Sequence, residues 1–337
     1  MGSHRRLASS GFDRGPGAAV GFLSVAVAAV GAVPAAATPH DDTRASVDRL
    51  YEQAEKATEA YNAADERADE LRDEVGIVRD RIARGQHRVN TLRDSLGSLA
   101  GAQYREGGID PSIALLFSDD PDDYLDHASR LDRLTAHQAG ELRELRQAMR
   151  ELAQDREEAA GKLHELDRSR KAVTAHKKAV ERKLATARRL LNSLPESERD
   201  AYGRASRSGR GGLPGPDGAT AASGRGAAAV AAARSALGKP YVWGANGPSG
   251  FDCSGLMQWS YAQAGVFLPR TSQAQRYAGR QIPLSEARPG DLVVYRGDAS
   301  HVGMYMGNGQ VIHAPYPGAP VRYDPVGMMP VSSVTRV

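Results

Sequence analysis

Cys253 is the only cysteine in the 337 residues of the chain, and it lies in the stretch "FDCSGLMQWSYAQAG". With no second thiol there is no disulfide to form within the chain, so Cys253 is either a small buried residue or a reactive group. The segment "SGLMQWSYAQAG" reads as a helix stopping at Gly265, preceded by the loop "ANGPSGFDC". This places Cys253 at a helix N-terminus, where unpaired backbone N–H groups and the helix dipole favour a thiolate and are expected to lower its pKa.

A thiolate nucleophile needs a base. Of the nine histidines, only His301 and His313 lie in the same C-terminal region, in "HVGMYMGNGQVIHAP", which reads as a β-hairpin turning at "GNG". With a two-residue turn at Asn308 and Gly309, His313 would pair opposite Met304 and face away from His301. With a three-residue turn, Gly307 to Gly309, it pairs opposite Gly303, on the face of His301 and one diagonal step away. The second register is expected, because it lets His301 serve as general base to Cys253 while His313 orients its ring. A zinc site from Cys253, His301 and His313 would lack the fourth ligand of a closed structural site. No metal or cofactor is expected.

These groups need a scaffold. "AAAVAAARSALGKPYVWG" reads as a helix ended by Gly238 and Pro240, and "RPGDLVVYR" as a turn and a strand. Residues 227–337, about 110 in number, are the size of one compact domain. Residues 195–226 are rich in Gly, Ser, Arg and Pro with no apolar period, a flexible linker.

Further upstream, residues 42–194 carry two heptad seams, from Val47 to Leu99 and from Tyr124 to Leu194. Between them a break at 107–123 holds two glycines, two prolines and the apolar knot Ile113, Leu115, Leu116 and Phe117. One break between matched seams predicts an antiparallel helical hairpin rather than a parallel dimer, its charges on solvated faces and its knot either a cap or a partner-binding tip.

Hydrophobic residues make up 41% and charged residues 25% of the chain, and the net charge of +3 is too small and too interleaved to suggest nucleic-acid binding. At the N-terminus, basic residues precede the run "GAAVGFLSVAVAAVGAV" and a small-residue cleavage pattern, so residues 1–37 read as a secretory signal peptide. A secreted location follows, outside or in the cell wall, where a lone cysteine is unusual.

"GKPYVWG", "FDCSGLMQWSYAQAG", "LPRTSQAQ", "RPGDLVVY" and "HVGMYMGNGQVIHAP" together resemble the catalytic domain of the NlpC/p60 cell-wall cysteine peptidases. The resemblance implies an α+β papain-like domain behind the all-α coiled-coil hairpin. It implies a triad of Cys253, His301 and His313, an active-site tyrosine at Tyr241, and substrate-contacting Asp252 and Ser254. The implied reaction is hydrolysis of the bond between D-γ-glutamate and the diamino acid of peptidoglycan stem peptides.

More loosely, the N-terminal half resembles the coiled-coil modules of secreted division hydrolases of the RipC and PcsB kind. That implies restraint of the enzyme by the coiled coil and docking of the tip on an FtsEX-type membrane complex. A linker of about 30 residues spans on the order of 30 Å, so the base of the helical hairpin is expected to cover the Cys253 cleft. The competing reading is a non-catalytic adaptor that binds wall peptides without cutting them.

Overall fold

The computed structural model describes residues 39–105, 113, 121–199, 221 and 223–337. The proposed signal peptide therefore lies outside the described residues, as do Leu115, Leu116 and Phe117; Ile113 is helical and half exposed.

Two long helices pair within the chain, α1 (Pro39–Arg105) and α2 (Pro121–Ser193). At 1.5 Å per residue each is about 100 Å long. They run antiparallel: Val89 packs with Ala148 and Leu152, Ala68 and Leu71 with Leu166, and Val47 and Ala54 with Val180, Leu184 and Ala187. The helical hairpin expected from the matched seams is present. A pair of helices buries only a narrow strip, and part of the expected α2 seam falls outside it. Leu142, Met149 and Leu163 are exposed, and Ala148 takes the place expected of Met149. Bridges such as Arg81–Glu158 and Arg88–Glu144, both 2.7 Å, flank the strip, and being exposed they add little stability.

The C-terminal domain begins with α3 (Gly224–Ser235), three residues before the expected boundary because Ser223 caps it through a hydrogen bond from the Gly226 N–H. Helix α4 (Cys253–Gln263) and the single turn α5 (Ser272–Gln275) follow. Then come β1 (Arg280–Ile282), a 3₁₀ turn at Leu284–Glu286, β2 (Leu292–Tyr295), β3 (His301–Gly307), β4 (Gln310–His313), β5 (Arg322–Pro325) and β6 (Val331–Arg336). The strands form one antiparallel sheet in the order β1-β6-β2-β3-β4-β5.

The sheet is apolar on both faces because residues alternate. Leu292, Val294, Val302, Met304 and Ile312 join Leu256, Met257 and Tyr261 of α4 and Ala229 and Ala233 of α3. Val293, Tyr295, Val311 and Val334 form a second cluster. The domain is the α+β unit expected. It packs against the base of the helical hairpin: Tyr51 stacks on Tyr316 with ring centroids 4.9 Å apart, and Tyr61 meets Trp243 edge to face at 5.3 Å.

Candidate active site

Cys253 is the first residue of α4, as its helix signal predicts. Asp252 is the N-cap, its Oδ1 accepting from the Gly255 N–H at 2.7 Å. The cap carboxylate is fully buried and held by Arg270, whose Nη2 donates to Oδ2 at 2.6 Å and Nη1 to Oδ1 at 3.0 Å, and by the Gly244 N–H at 3.0 Å. Arg270 Nη1 also donates to the Ser254 hydroxyl at 3.0 Å. Asp252 thus fixes the start of the helix that carries Cys253.

The two histidines meet on the β3–β4 hairpin. His301 Nε2 and His313 Nδ1 are 2.8 Å apart, and both side chains are buried. The register is the one the chemistry requires, but the turn is not the one expected. Gly307 pairs with Gln310 across a two-residue turn, Asn308 and Gly309, with φ of 52° and 70°. Both lie in the left-handed region of a type I′ turn. The extra residue is in the strand: the register shifts between Tyr305 and Gly307, a bulge at Met306, and beyond it Met304 pairs with Ile312. One step further, Gly303 faces His313, where a Cβ would stand 3.2 Å from the His313 Cβ.

Asp324 of β5 completes a relay that the sequence reading did not include. Its Oδ2 lies 2.8 Å from His313 Nε2 and accepts from Arg322 Nε, also at 2.8 Å. A carboxylate can only accept, so His313 carries its proton on Nε2 and offers a bare Nδ1. His301 then donates from Nε2, and its remaining nitrogen, Nδ1, presents a lone pair. Among the described residues that buried Nδ1 has no hydrogen-bond partner. A bare imidazole nitrogen fixed by an orienting partner is what a thiol needs to give up its proton. The alternation of "VRYDP" could have flagged Asp324 as sharing a face with Arg322, but nothing local marks it as a histidine partner.

The side of α1 facing the domain is filled with polar groups. Glu55, Thr58, Glu59 and Asn62 are all buried, at spacings of three and four. Glu59 Oε1 stands 3.6 Å from Cys253 Sγ and accepts the Ser254 hydroxyl at 2.8 Å, while Oε2 accepts the Ser272 N–H at 2.7 Å. Glu55 Oε2 accepts from Arg296 Nη1 at 2.5 Å, and Oε1 lies 3.5 Å from His301 Nδ1. Asn62 Nδ2 donates to Asp252 Oδ2 at 3.1 Å, and the Arg270 N–H to Glu66 Oε1 at 3.3 Å. Thiol and imidazole therefore face one stretch of α1, each against a carboxylate one helical turn from the other. The expectation that the helix charges lie on solvated faces is corrected here.

This burial reverses the expected state of the thiol. Cys253 is pushed well above the ordinary thiol value by burial first, then by the charges of Glu59, Asp252 and Glu55; the Ser254 N–H pulls the other way and is outweighed. His301 is held well below the usual imidazole range by burial, His313 and Arg296. With α1 in place the pair rests as neutral thiol and neutral imidazole. Burial raises Glu55 to about 7 despite Arg296, and burial with the Asp252 charge raises Glu59. Tyr241 is buried in the same core cluster, its phenol shifted up by burial and by the nearby Cys253. No set of residues able to hold a metal ion occurs among the described residues.

The sequence profile of the NlpC/P60 family matches residues 238–334. A "Probable endopeptidase" of Mycobacterium tuberculosis is 31% identical over 368 aligned positions, covering 91% of this chain and 93% of that protein. The "Probable endopeptidase p60" of Listeria monocytogenes is 52% identical over 97 residues, 28% of this chain and 20% of that one. Among solved structures, the P60 domain of an antigen from M. avium subspecies paratuberculosis is 38% identical over 33% of this chain and 93% of that one, with a TM-score of 0.32.

Proposed function

The chain belongs to the NlpC/P60 family of peptidoglycan cysteine peptidases, and on that premise we propose that it is an exported endopeptidase cutting between D-γ-glutamate and the diamino acid of stem peptides. The observation that carries this reading is the relay Asp324–His313–His301, which leaves a bare His301 Nδ1 against Glu55, one helical turn of α1 from the Glu59 carboxylate that contacts Cys253.

In the reaction, the Cys253 thiol gives its proton to His301 Nδ1 and the thiolate attacks the γ-carbonyl carbon. The oxyanion is held by the Cys253 N–H and the Tyr241 hydroxyl. As the C–N bond breaks, His301 returns the proton to the departing amine, leaving a γ-glutamyl thioester. Water, losing a proton to His301, then attacks the thioester and frees the thiol. His313 holds the imidazolium in place, and Asp252 and Ser254 present polar groups to the acyl side. A non-catalytic adaptor has no use for an oriented histidine relay.

The chain as described is its resting form. Helix α1 excludes substrate and water and keeps the thiol protonated, so the enzyme waits for the helix to leave. Release by a membrane complex of the FtsEX type acting at the tip, in cell separation, accords with this arrangement. Digesting purified wall with protein carrying Glu59→Lys, which expels α1, and with the same protein carrying Cys253→Ala as well, and weighing the released fragments, tests the assignment. Hydrolysis must vanish in the variant, and the fragments must begin at the diamino acid.

A further inference from the structure

Arg296 is the cation beside the catalytic pair that the relay does not use. It follows the last residue of β2, and its φ of 65° puts a non-glycine residue in the left-handed region, a conformation that costs free energy and is kept where the surroundings demand it. Its N–H donates to the Pro330 carbonyl at 2.8 Å, and Nη1 lies 3.2 Å from the Ser300 hydroxyl. The side chain is only 18% exposed. Among the described residues its one ion-pair partner is Glu55, which belongs to the removable helix and not to the catalytic domain. When α1 leaves, the guanidinium opens onto the cleft beside the catalytic pair with the Ser300 hydroxyl and no ion-pair partner. Such a group takes up another carboxylate.

The Glu55 carboxylate shows where that anion sits. It bridges Arg296 and the region of His301 Nδ1, the nitrogen that hands its proton to the departing amine. Glu59 occupies the other side, against Cys253, Ser254 and Ser272, where the acyl half lies. The two glutamates thus stand in for acidic groups on either side of the bond to be cut. We infer that Arg296 is a specificity-determining residue that binds a free carboxylate on the residue leaving as the amine. This rests on the endopeptidase reading. The carboxylate has two possible sources, the α-carboxylate of a terminal diamino acid or a carboxylate on its side chain.

The test measures kcat/KM of the full-length protein and of Arg296→Gln on three stem peptides of the form L-Ala-γ-D-Glu-X. X is diaminopimelate with both carboxylates free, lysine with a free α-carboxylate, or lysine amide with none. Docking of α1 lowers kcat/KM for every substrate by the same open fraction. Ratios between substrates therefore report on the subsite alone, whatever the variant does to absolute rates. The expected wild-type preference for diaminopimelate over lysine amide is about tenfold or more, and Arg296→Gln should bring it close to one. Lysine with its free α-carboxylate following diaminopimelate identifies the α-carboxylate as the ligand; following the amide, it identifies the side chain. A wild-type ratio of one, or an unchanged ratio in Arg296→Gln, overturns the inference while leaving the enzyme assignment standing. If Arg296→Gln does not fold, the wild-type ratios together with those of Arg296→Lys, which keeps a cation and should keep part of the preference, decide the matter. No hydrolysis of any of the three, even by full-length protein carrying Glu59→Lys to expel α1, would overturn the endopeptidase reading and the inference with it.

Discussion

Glu59 of the helical hairpin and Cys253 of the catalytic domain, 194 positions apart in sequence, stand carboxylate against thiol at 3.6 Å. The same carboxylate takes the Ser254 hydroxyl and the Ser272 N–H, so α1 holds the site by occupying its donors. Reversing the charge should expel the helix. Glu59→Lys would bury a cation facing an N–H donor near Arg270, and full-length protein carrying it should hydrolyse wall peptides and react with iodoacetamide at least about tenfold faster than wild type, since an unpaired buried charge costs several kcal/mol. Equal rates would mean that the contact does not restrain the enzyme.

The restraint should also depend on pH. Burial raises Glu55 from 4.5 to about 7, and Glu59 also moves up. Across that window the docked helix keeps protons that a free helix gives up, so the contribution of Glu55 and Glu59 to docking is greatest below about 4.5, weakens as pH rises, and is smallest above about 7. The charged and titratable groups facing the pair are Arg296, Arg270, His301, Cys253, Tyr241, Asp252 and Glu52. Trp243 meets Tyr61 of α1 and reports the contact. In a Trp259→Phe background its fluorescence should shift toward the solvent-exposed signal between pH 5 and 8. Adding Glu55→Gln and Glu59→Gln, which mimic the protonated forms, should flatten the transition and keep the helix docked at the alkaline end.

Asp324→Asn should separate positioning from structure. An amide can donate to His313 Nε2, which would move the His313 proton to Nδ1 and oblige His301 to carry its own proton on the catalytic nitrogen. The expected loss in kcat is roughly 10²-fold or more with little change in KM, by analogy with other triads whose orienting carboxylate is amidated. A thermal midpoint near that of wild type, with the basic limb of the pH profile displaced, distinguishes this from simple unfolding.

Arg270→Ala strands the fully buried Asp252 carboxylate at the start of α4. Removing one partner of a buried pair typically costs about 3–5 kcal/mol. Thermal denaturation of the variant should show a clear drop in midpoint, and Asp252→Asn added to it should recover part of the loss.

Much of the site is written in local pattern. The helix signal after Cys253 and the spacing of His301 and His313 are enough to bring the two imidazoles to one face. The turn itself is less legible, because the extra residue between the histidines can sit in the turn or in the strand with the same effect on facing; here it is the bulge at Met306. Glu55, Glu59 and Asn62 show their helical spacing in the sequence, yet the same spacing occurs on any solvated helix face, and only the docked domain gives it meaning. A backbone N–H at the start of α4, that of Ser254, does pull the thiol down, but burial and three carboxylates outweigh one helix end. In α2, apolar residues at heptad spacing include Leu142, Met149 and Leu163, which a two-helix strip leaves exposed.

The sealing of Cys253 bears on oxidation as much as on catalysis. A thiolate attacks peroxides and disulfides that can reach it, and a thiol that is both buried and held protonated meets neither condition. A lone cysteine with no disulfide partner would otherwise be exposed to irreversible damage in any oxidising surrounding. While α1 is docked, the sulfur is sheltered and kept reduced; on the proposed release of the helix, the step that would arm the nucleophile would also start its exposure to oxidants.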